Sequence, residues 1–439
     1  MFLSINRLPL IQNYFTLLIA LIPVSFIAGN LVINLNIFLI IVSSLLIFGK
    51  EIVKIKIFFL DKLFFLFFLF IIFSAFINDI YFMTNDLFPE DFKTVKKSFL
   101  FLRYLFLYFS LRFLIEKKII NLKFFFISCL FSTLFVSLDI FYQFIFGKDI
   151  FGFVPTTRKF SGPFNDELIA GGYLLRFSIF SFFLIPIFYR KYYNKIFLYF
   201  LPMLLIFFLI GMILAGNRMP FIMYIFTLSL ITVFHQNLRK YFLILATVVL
   251  IVFSLMYKFN SIVKNNFDNF YSQVSKIIVI TYNKDFENNN QPTYFKEFYS
   301  FYDTWLSNKY IGGGIKNFWY YCHVEQTRKT GKLKVCNTHP HNYYLEILTE
   351  LGLIGFILAL TIIIIILYQT FYKKYFTSSS SFLKNNNLIT PFIFLFISEL
   401  FPIKGTGSFF TTNNATYLFF IIAILIGLTR KNNFIENKK

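Results

Sequence analysis

His339-Pro340-His341-Asn342 stands directly before a long apolar run, with Glu346 and Glu350 at four-residue steps inside it and Gly352 and Gly355 further on. Steps of four put Asn342, Glu346 and Glu350 on one face of a helix, so an amide and two carboxylates descend from the histidines. A neutral imidazole can take a proton from a hydroxyl as that hydroxyl attacks, and its cation can support a departing phosphate. Read as metal ligands, His339 and His341 have no companion Cys or Asp set, and a general base is the better reading. Glu350 falls within the apolar run, where a carboxylate calls for an arginine or a wet cavity. His323, beside a cysteine, and His235, in a short connection, read as surface residues.

The elements that must position these groups are set by the rest of the chain. Of 439 residues, 57% are hydrophobic and 14% charged, and the 69 phenylalanines read as a compositional bias and not as a cofactor box. Apolar stretches recur from end to end, long enough to cross a hydrocarbon core of about 30 Å. They are continuous on both faces, which suits helices that satisfy their own backbone and not a barrel of alternating strands. The fold class is an all-α integral membrane protein with about 12 transmembrane helices, at about 10–28, 31–48, 58–77, 98–115, 122–146, 168–189, 195–215, 218–234, 239–257, 343–370, 388–403 and 412–428. The first reads as a span and not a cleaved signal, because no small-x-small site follows it.

Basic residues concentrate in alternate connections: Lys50, Lys54, Lys56 and Lys62; Lys117, Lys118 and Lys123; Arg190, Lys191 and Lys195; Arg239 and Lys240; Lys373, Lys374 and Lys384; and Arg430 onward. The positive-inside bias makes that side, and both termini, cytoplasmic. The net charge of +21 is then a topology signal; no basic soluble domain exists to carry nucleic acid. The chain divides into helices 1 to 9 (1–257), an exported loop region (258–342), helices 10 to 12 (343–428) and a cytoplasmic tail (429–439). In the loop, the asparagine-rich part from Asn265 reads as irregular, Pro292 to Ser307 as a helix, and Gly312-Gly313-Gly314 as its break. Cys322 and Cys336, the two cysteines of this exported segment, are predicted to form a disulfide closing His323 to Val335 just before the histidines.

Basic groups on the outward side ask for an anionic partner. Arg218 lies in the tight connection Ala215-Gly216-Asn217-Arg218, and Arg158 in the connection that runs on to Ser161-Gly162-Pro163-Phe164. Arg103 and Arg176 lie in the outer thirds of their spans. Four guanidiniums at one depth suit a diphosphate, whose oxygens the planar fork takes in pairs. Snorkelling to headgroups, or pairing with Asp139 or Glu399, is the plainer alternative for Arg103 and Arg176.

His341-Asn342, nine residues, then Gly352-Leu353-Ile354-Gly355 resembles the histidine motif of the O-antigen ligase family, H-[NSQ]-x9-G-x-x-G. Arg218 is similar to the family's arginine after the seventh span, and Arg158 to Tyr173 resembles its Arg…Ser-Gly-x-Phe stretch. Lys296, in Tyr294-Phe295-Lys296-Glu297, occupies the neighbourhood of a further family arginine on the loop helix. The resemblance implies a GT-C-like membrane enzyme in the bacterial inner membrane, working on the periplasmic side. It implies inverting transfer of a glycan from undecaprenyl pyrophosphate to lipid A–core or another glycan acceptor, without metal, cofactor or nucleotide sugar. It gives His341 as base and Arg218 and Arg158 as supports of the leaving diphosphate; with the residue readings above, Arg103, Arg176, Lys296, His339, Asn342, Glu346 and Glu350 are expected around donor and acceptor. A polysaccharide polymerase of the same superfamily is the alternative. A transporter of lipid-linked glycan is the reading from another class, but the internal repeats it predicts are absent from the sequence.

Overall fold

The computed structural model describes residues 8–84, 92–155, 159–189, 195–234, 239–283, 293–328, 335–377, 386–405 and 407–430. Long apolar runs with no water to satisfy their backbone must bond internally, and the described residues are helical almost throughout, with no extended strand among them. In chain order the helices are α1 (Leu8–Ala20), α2 (Ile22–Ala28), α3 (Asn30–Val53), α4 (Phe59–Thr84), α5 (Lys93–Phe101), α6 (Arg103–Glu116), α7 (Leu122–Phe146), α8 (Ala170–Phe188), α9 (Lys195–Leu214), α10 (Arg218–Phe234), α11 (Arg239–Phe259), α12 (Ser261–Asn283), α13 (Thr293–Ser307), α14 (Phe318–Arg328), α15 (Tyr343–Leu367), α16 (Thr390–Glu399) and α17 (Thr412–Arg430).

Among the described residues, seven helical segments are long and apolar enough to cross a membrane, or up to nine if each of two bent pairs is one span. One pair is α1 with α2, bent by 42° where Pro23 opens the second helix; the other joins α11 to α12 at 100°. Helices overlie each of the twelve expected stretches, but α9, α10 and α16 contribute shorter apolar segments.

Of the asparagine-rich part expected as irregular chain, Asn265, Asn266 and Asn269 are instead part of α12, and Asn288-Asn289-Asn290 lie outside the described residues. Val263 and Phe267, four apart, supply an apolar stripe; Phe267 packs 4.8 Å from Phe253 and 5.8 Å from Phe221, ring centre to ring centre. The asparagines ride on that helix, and Asn266 is buried in it.

α17 is buried from Asn414 to Leu428 on every side, as a helix apolar all round must be. It packs against α6, α3 and α16, and so forms the centre of the bundle. At one end of the bundle Asp61 accepts from Tyr108 at 2.7 Å and pairs with Arg112 at 2.7 Å and Arg430 at 3.1 Å, tying α4, α6 and α17 together. Arg112 also pairs with Glu116 at 2.6 Å. The chemistry-bearing loop lies at the opposite end.

Candidate active site

The glycines of the histidine segment explain how that loop is fixed. α15 is interrupted at Gly352, whose φ of 63° and ψ of −169° belong to a region that only glycine enters readily. There the amides of Leu353 and Ile354 donate to the Lys309 and Tyr310 carbonyls at 2.8 and 3.2 Å, and the Thr349 and Glu350 carbonyls accept from Gly313 and Gly314 at 3.0 and 2.8 Å. The glycine turn thus supplies the backbone partners that the interrupted helix lacks. Asn78 and Asn308 donate to the Gly312 carbonyl at 2.9 and 2.6 Å, and Ser74 to that of Ile311 at 2.9 Å, so α4 clamps the same turn.

Upstream of the break, Asn342 caps α15: its side chain accepts from the amides of Tyr344 and Leu345 at 3.0 and 3.1 Å and donates to Pro402 at 2.7 Å. His341 precedes it in the left-handed region at φ 54°. Glu346 accepts from the Ser408 hydroxyl and the Phe409 amide, both at 2.5 Å, and Glu350 accepts from the Lys316 amide at 2.7 Å. Asn342, Glu346 and Glu350 therefore share a face, as their spacing requires, but they hold neighbouring loops and do not line the main cavity described next. Cys322 and Cys336 are joined, Cα to Cα 5.6 Å, which ties α14 to the strand of chain leading to His339.

A cavity of about 600 Å³ opens beside this segment, and both His339 and His341 line it, their rings 4.4 Å apart. Arg176 from α8, Lys404 from the connection between α16 and α17, Lys159, and the amides Asn217 and Asn414 line the same cavity. Arg176 donates to Glu399 at 2.6 Å and to Asn414 at 2.6 Å, and Lys404 to Glu399 at 2.7 Å. One buried carboxylate thus holds two cations in the wall, and the wall stays positive.

Burial pushes the His339 imidazole down to about 4, with the nearby His341 adding to the fall, so His339 is a neutral acceptor at pH 7. Burial likewise lowers the Lys159 amine, and the charge of Arg218 lowers it further.

Of the other expected residues, Arg218 is the first residue of α10. It lines a small recess behind Asn217, its guanidinium 5.9 Å from the centre of the Phe270 ring. Arg103 begins α6 and lines a separate groove on the flank of the bundle. Lys296 lies on α13, half-buried, outside the residues lining the cavity. Arg158 lies outside the described residues, as does His235. Asp139 does not pair with Arg103: it accepts from the Ile150 amide at 2.8 Å and closes the turn after α7.

Two residues are added by the structure, Lys404 and Glu297, while Glu399, weighed in the sequence as a partner for Arg103 or Arg176, is the partner of Arg176. Lys404 completes the cationic wall. Glu297 on α13 is buried, accepts from Asn337 at 2.5 Å, leaves Oε2 without a hydrogen bond, and lies within electrostatic reach of His341. Burial raises its carboxyl above the usual range while His341 and Asn337 pull it back. A signal for Glu297 existed in the sequence: with Ser300, Phe301 and Thr304 it forms the buried stripe of α13, and it is the only charge on that stripe.

Among the described residues no group of three or more His, Cys, Asp or Glu is placed to hold a metal ion. No curated protein matches the chain. The profile of the family described as O-Antigen ligase matches residues 203–360, a segment that starts in α9 and contains Arg218, α13, the disulfide, both cavity histidines and the Gly352 break. The chain therefore carries, over these residues, the domain of the O-antigen ligase family.

Proposed function

We propose that the protein is a ligase-type glycosyltransferase that moves a glycan from undecaprenyl diphosphate to a hydroxyl of lipid A–core at the outer face of the bacterial inner membrane. The observation that carries this reading is the shared cavity, which two histidines line together with Arg176, Lys404 and Lys159. In this reading the acceptor oxygen attacks the anomeric carbon as His341 takes its proton. The bond from that carbon to the diphosphate oxygen breaks with inversion, and the electron pair leaves on the diphosphate. Arg176, Lys404 and Lys159, together with Arg218 and Arg158, stabilise the charge that develops there. Side-chain cations fill the leaving-group role, and the reading routes no step through a metal.

The matching topology has twelve crossings, both termini inside, and the 258–342 region outside with its disulfide. A polymerase of the same superfamily would use the same donor side and differ in acceptor. Lipopolysaccharide gel profiles of a deletion strain test the choice. Bare core with accumulated lipid-linked polymer is the expected result; core capped by a single repeat would assign polymerisation instead. Complementation with His341→Ala should restore protein in the membrane and no glycan transfer, and full transfer by that variant would end the assignment.

A further inference from the structure

A second hollow, of about 440 Å³, lies on the flank of the bundle between α3 and the start of α6. Leu31, Leu35, Phe38 and Val42 form its α3 wall, one stripe of side chains at steps of three and four, about 17 Å long at 1.5 Å per residue. Leu31 is 81% exposed, Leu35 55% and Phe38 60%, on a helix apolar enough to cross a membrane, so the groove faces hydrocarbon. Its head is different in kind. Arg103 stands there with Asn34; the guanidinium donates to Tyr104 at 2.9 Å and Thr412 at 3.3 Å. The Arg103 Nε and the Asn34 Oδ1 are both buried without a hydrogen-bond partner. Among the described residues no carboxylate pairs with this arginine.

A guanidinium at the head of a lipid-facing apolar stripe matches an amphiphile with an anionic head and a hydrocarbon chain. The groove also adjoins the histidine cavity. Asn30, the residue before Leu31, lines the cavity, and Thr412, which Arg103 touches, sits between Thr411 and Asn413 of the cavity wall. We propose that the groove seats the first isoprene units of the donor's polyprenyl chain, with Arg103 on the diphosphate at the rim. The diphosphate then lies between Arg103 and the Arg176–Lys404 wall, with its glycan in the cavity. This inference rests on the glycosyltransferase reading for its occupant, and its test reads binding without transfer.

Native mass spectrometry of the full chain in detergent, with undecaprenyl diphosphate, geranyl diphosphate and phosphatidylglycerol as probes, supplies the measurement. Val42→Trp, which fills the far end of the groove, should weaken undecaprenyl diphosphate by about tenfold and leave geranyl diphosphate within about twofold. Retained geranyl diphosphate also reports that the variant is folded. Phe38→Ser, which makes the stripe more polar without filling it, should weaken the long-chain probe in the same direction. Arg103→Gln should weaken both diphosphates. An unchanged affinity for undecaprenyl diphosphate in both groove variants would overturn the proposal. So would phosphatidylglycerol binding as tightly as undecaprenyl diphosphate and displacing it, since the groove would then be a general phospholipid seat. Loss of the transfer assignment by the His341→Ala test would leave these binding ratios standing, so the two failures are separable.

Discussion

Arg176 and Glu399 meet through two hydrogen bonds, Nη2 to Oε1 at 2.6 Å and Nε to Oε2 at 3.3 Å, that join α8 to α16. The same carboxylate accepts from Lys404 at 2.7 Å and from the Tyr343 hydroxyl at 2.8 Å, so α15 and the α16–α17 connection converge on it. One anion between two cations fixes the guanidinium while leaving the wall a net positive charge for a phosphate to meet.

Glu399→Gln removes that anion and leaves two cations facing each other in a buried place. The expected loss is about 3–5 kcal/mol of stability, the cost of breaking a buried pair by deleting one partner. Tyr343→Phe deletes a single hydrogen bond to a charged group and should lose about 1.5–3 kcal/mol. Thermal unfolding of the purified variants in detergent gives the ranking, and a Glu399→Gln midpoint at or above that of Tyr343→Phe would contradict it.

Gly352 and Gly312 should be irreplaceable by alanine. A Cβ on Gly352 would run into the backbone of Tyr310, and one on Gly312 into the backbone from Glu350 to Gly352. Both residues also have positive φ, at 63° and 75°. The conformational strain alone is about 1–3 kcal/mol at each, before any displacement of the glycine turn. Gly49→Ala, in α3 where an added Cβ meets nothing within 4 Å, is the matched control and should be neutral or stabilising. Accumulation in membranes, with protease resistance of the 293–342 region, separates these outcomes.

The apolar runs made the helices legible, because each run carries its own reason to be helical in lipid. The spacing of His341 to Gly352 and Gly355 was legible as a motif, but its physical sense was not. The reason for Gly352 lies in a turn near Gly312, which no local pattern points to. The same holds for the cationic wall: Arg176 and Glu399 are separated by 223 positions. Asn342, Glu346 and Glu350 were correctly placed on one face, yet periodicity gives direction and not partner. Ser408, Phe409 and Lys316, which donate to the two carboxylates, come from loops with no period at all. α12 was misread because asparagines are interleaved with Val263 and Phe267, the apolar residues that fix its first turns.

Opening the Cys322–Cys336 bond should loosen the approach to the histidines. A closed loop of this length contributes about 3 kcal/mol through the unfolded chain. Cys322→Ser with Cys336→Ser is expected to lower the unfolding midpoint and to reduce glycan transfer without removing it, since His341 keeps its place at the Asn342 cap. Alkylation before and after reduction, read by intact mass, establishes whether the bond is present. Transfer at the wild-type rate in the double variant would show that the bond does not position the site.

Acid should destabilise the protein through His339. In the unfolded chain this imidazole protonates near 6.5, whereas in the folded protein protonation waits until about 4. Between those values the unfolded state binds a proton that the folded state refuses, so stability is full above about 6.5 and falls as the pH drops toward about 4. His339 is half-exposed, and solvent screening makes the effect modest. His339→Asn should flatten the slope of unfolding midpoint against pH over this interval; an unchanged slope would assign it to other groups.

Glu297 is the residue whose substitution best separates alignment of His341 from the chemistry of His341. Its buried carboxylate is held on one oxygen by Asn337, has the other without a hydrogen bond, and acts electrostatically on the imidazole. An acid that orients and stabilises a histidine is a positioning residue, so its loss should lower turnover more than substrate affinity. Glu297→Gln is expected to reduce kcat by about ten- to a hundredfold with KM for the donor within about twofold, against a loss of about 10²–10⁴ for His341→Ala. Glu297→Asp, which keeps the charge on a shorter stem, should recover part of the rate. A merely structural role would instead lower the unfolding midpoint of Glu297→Gln and leave kcat per folded molecule unchanged.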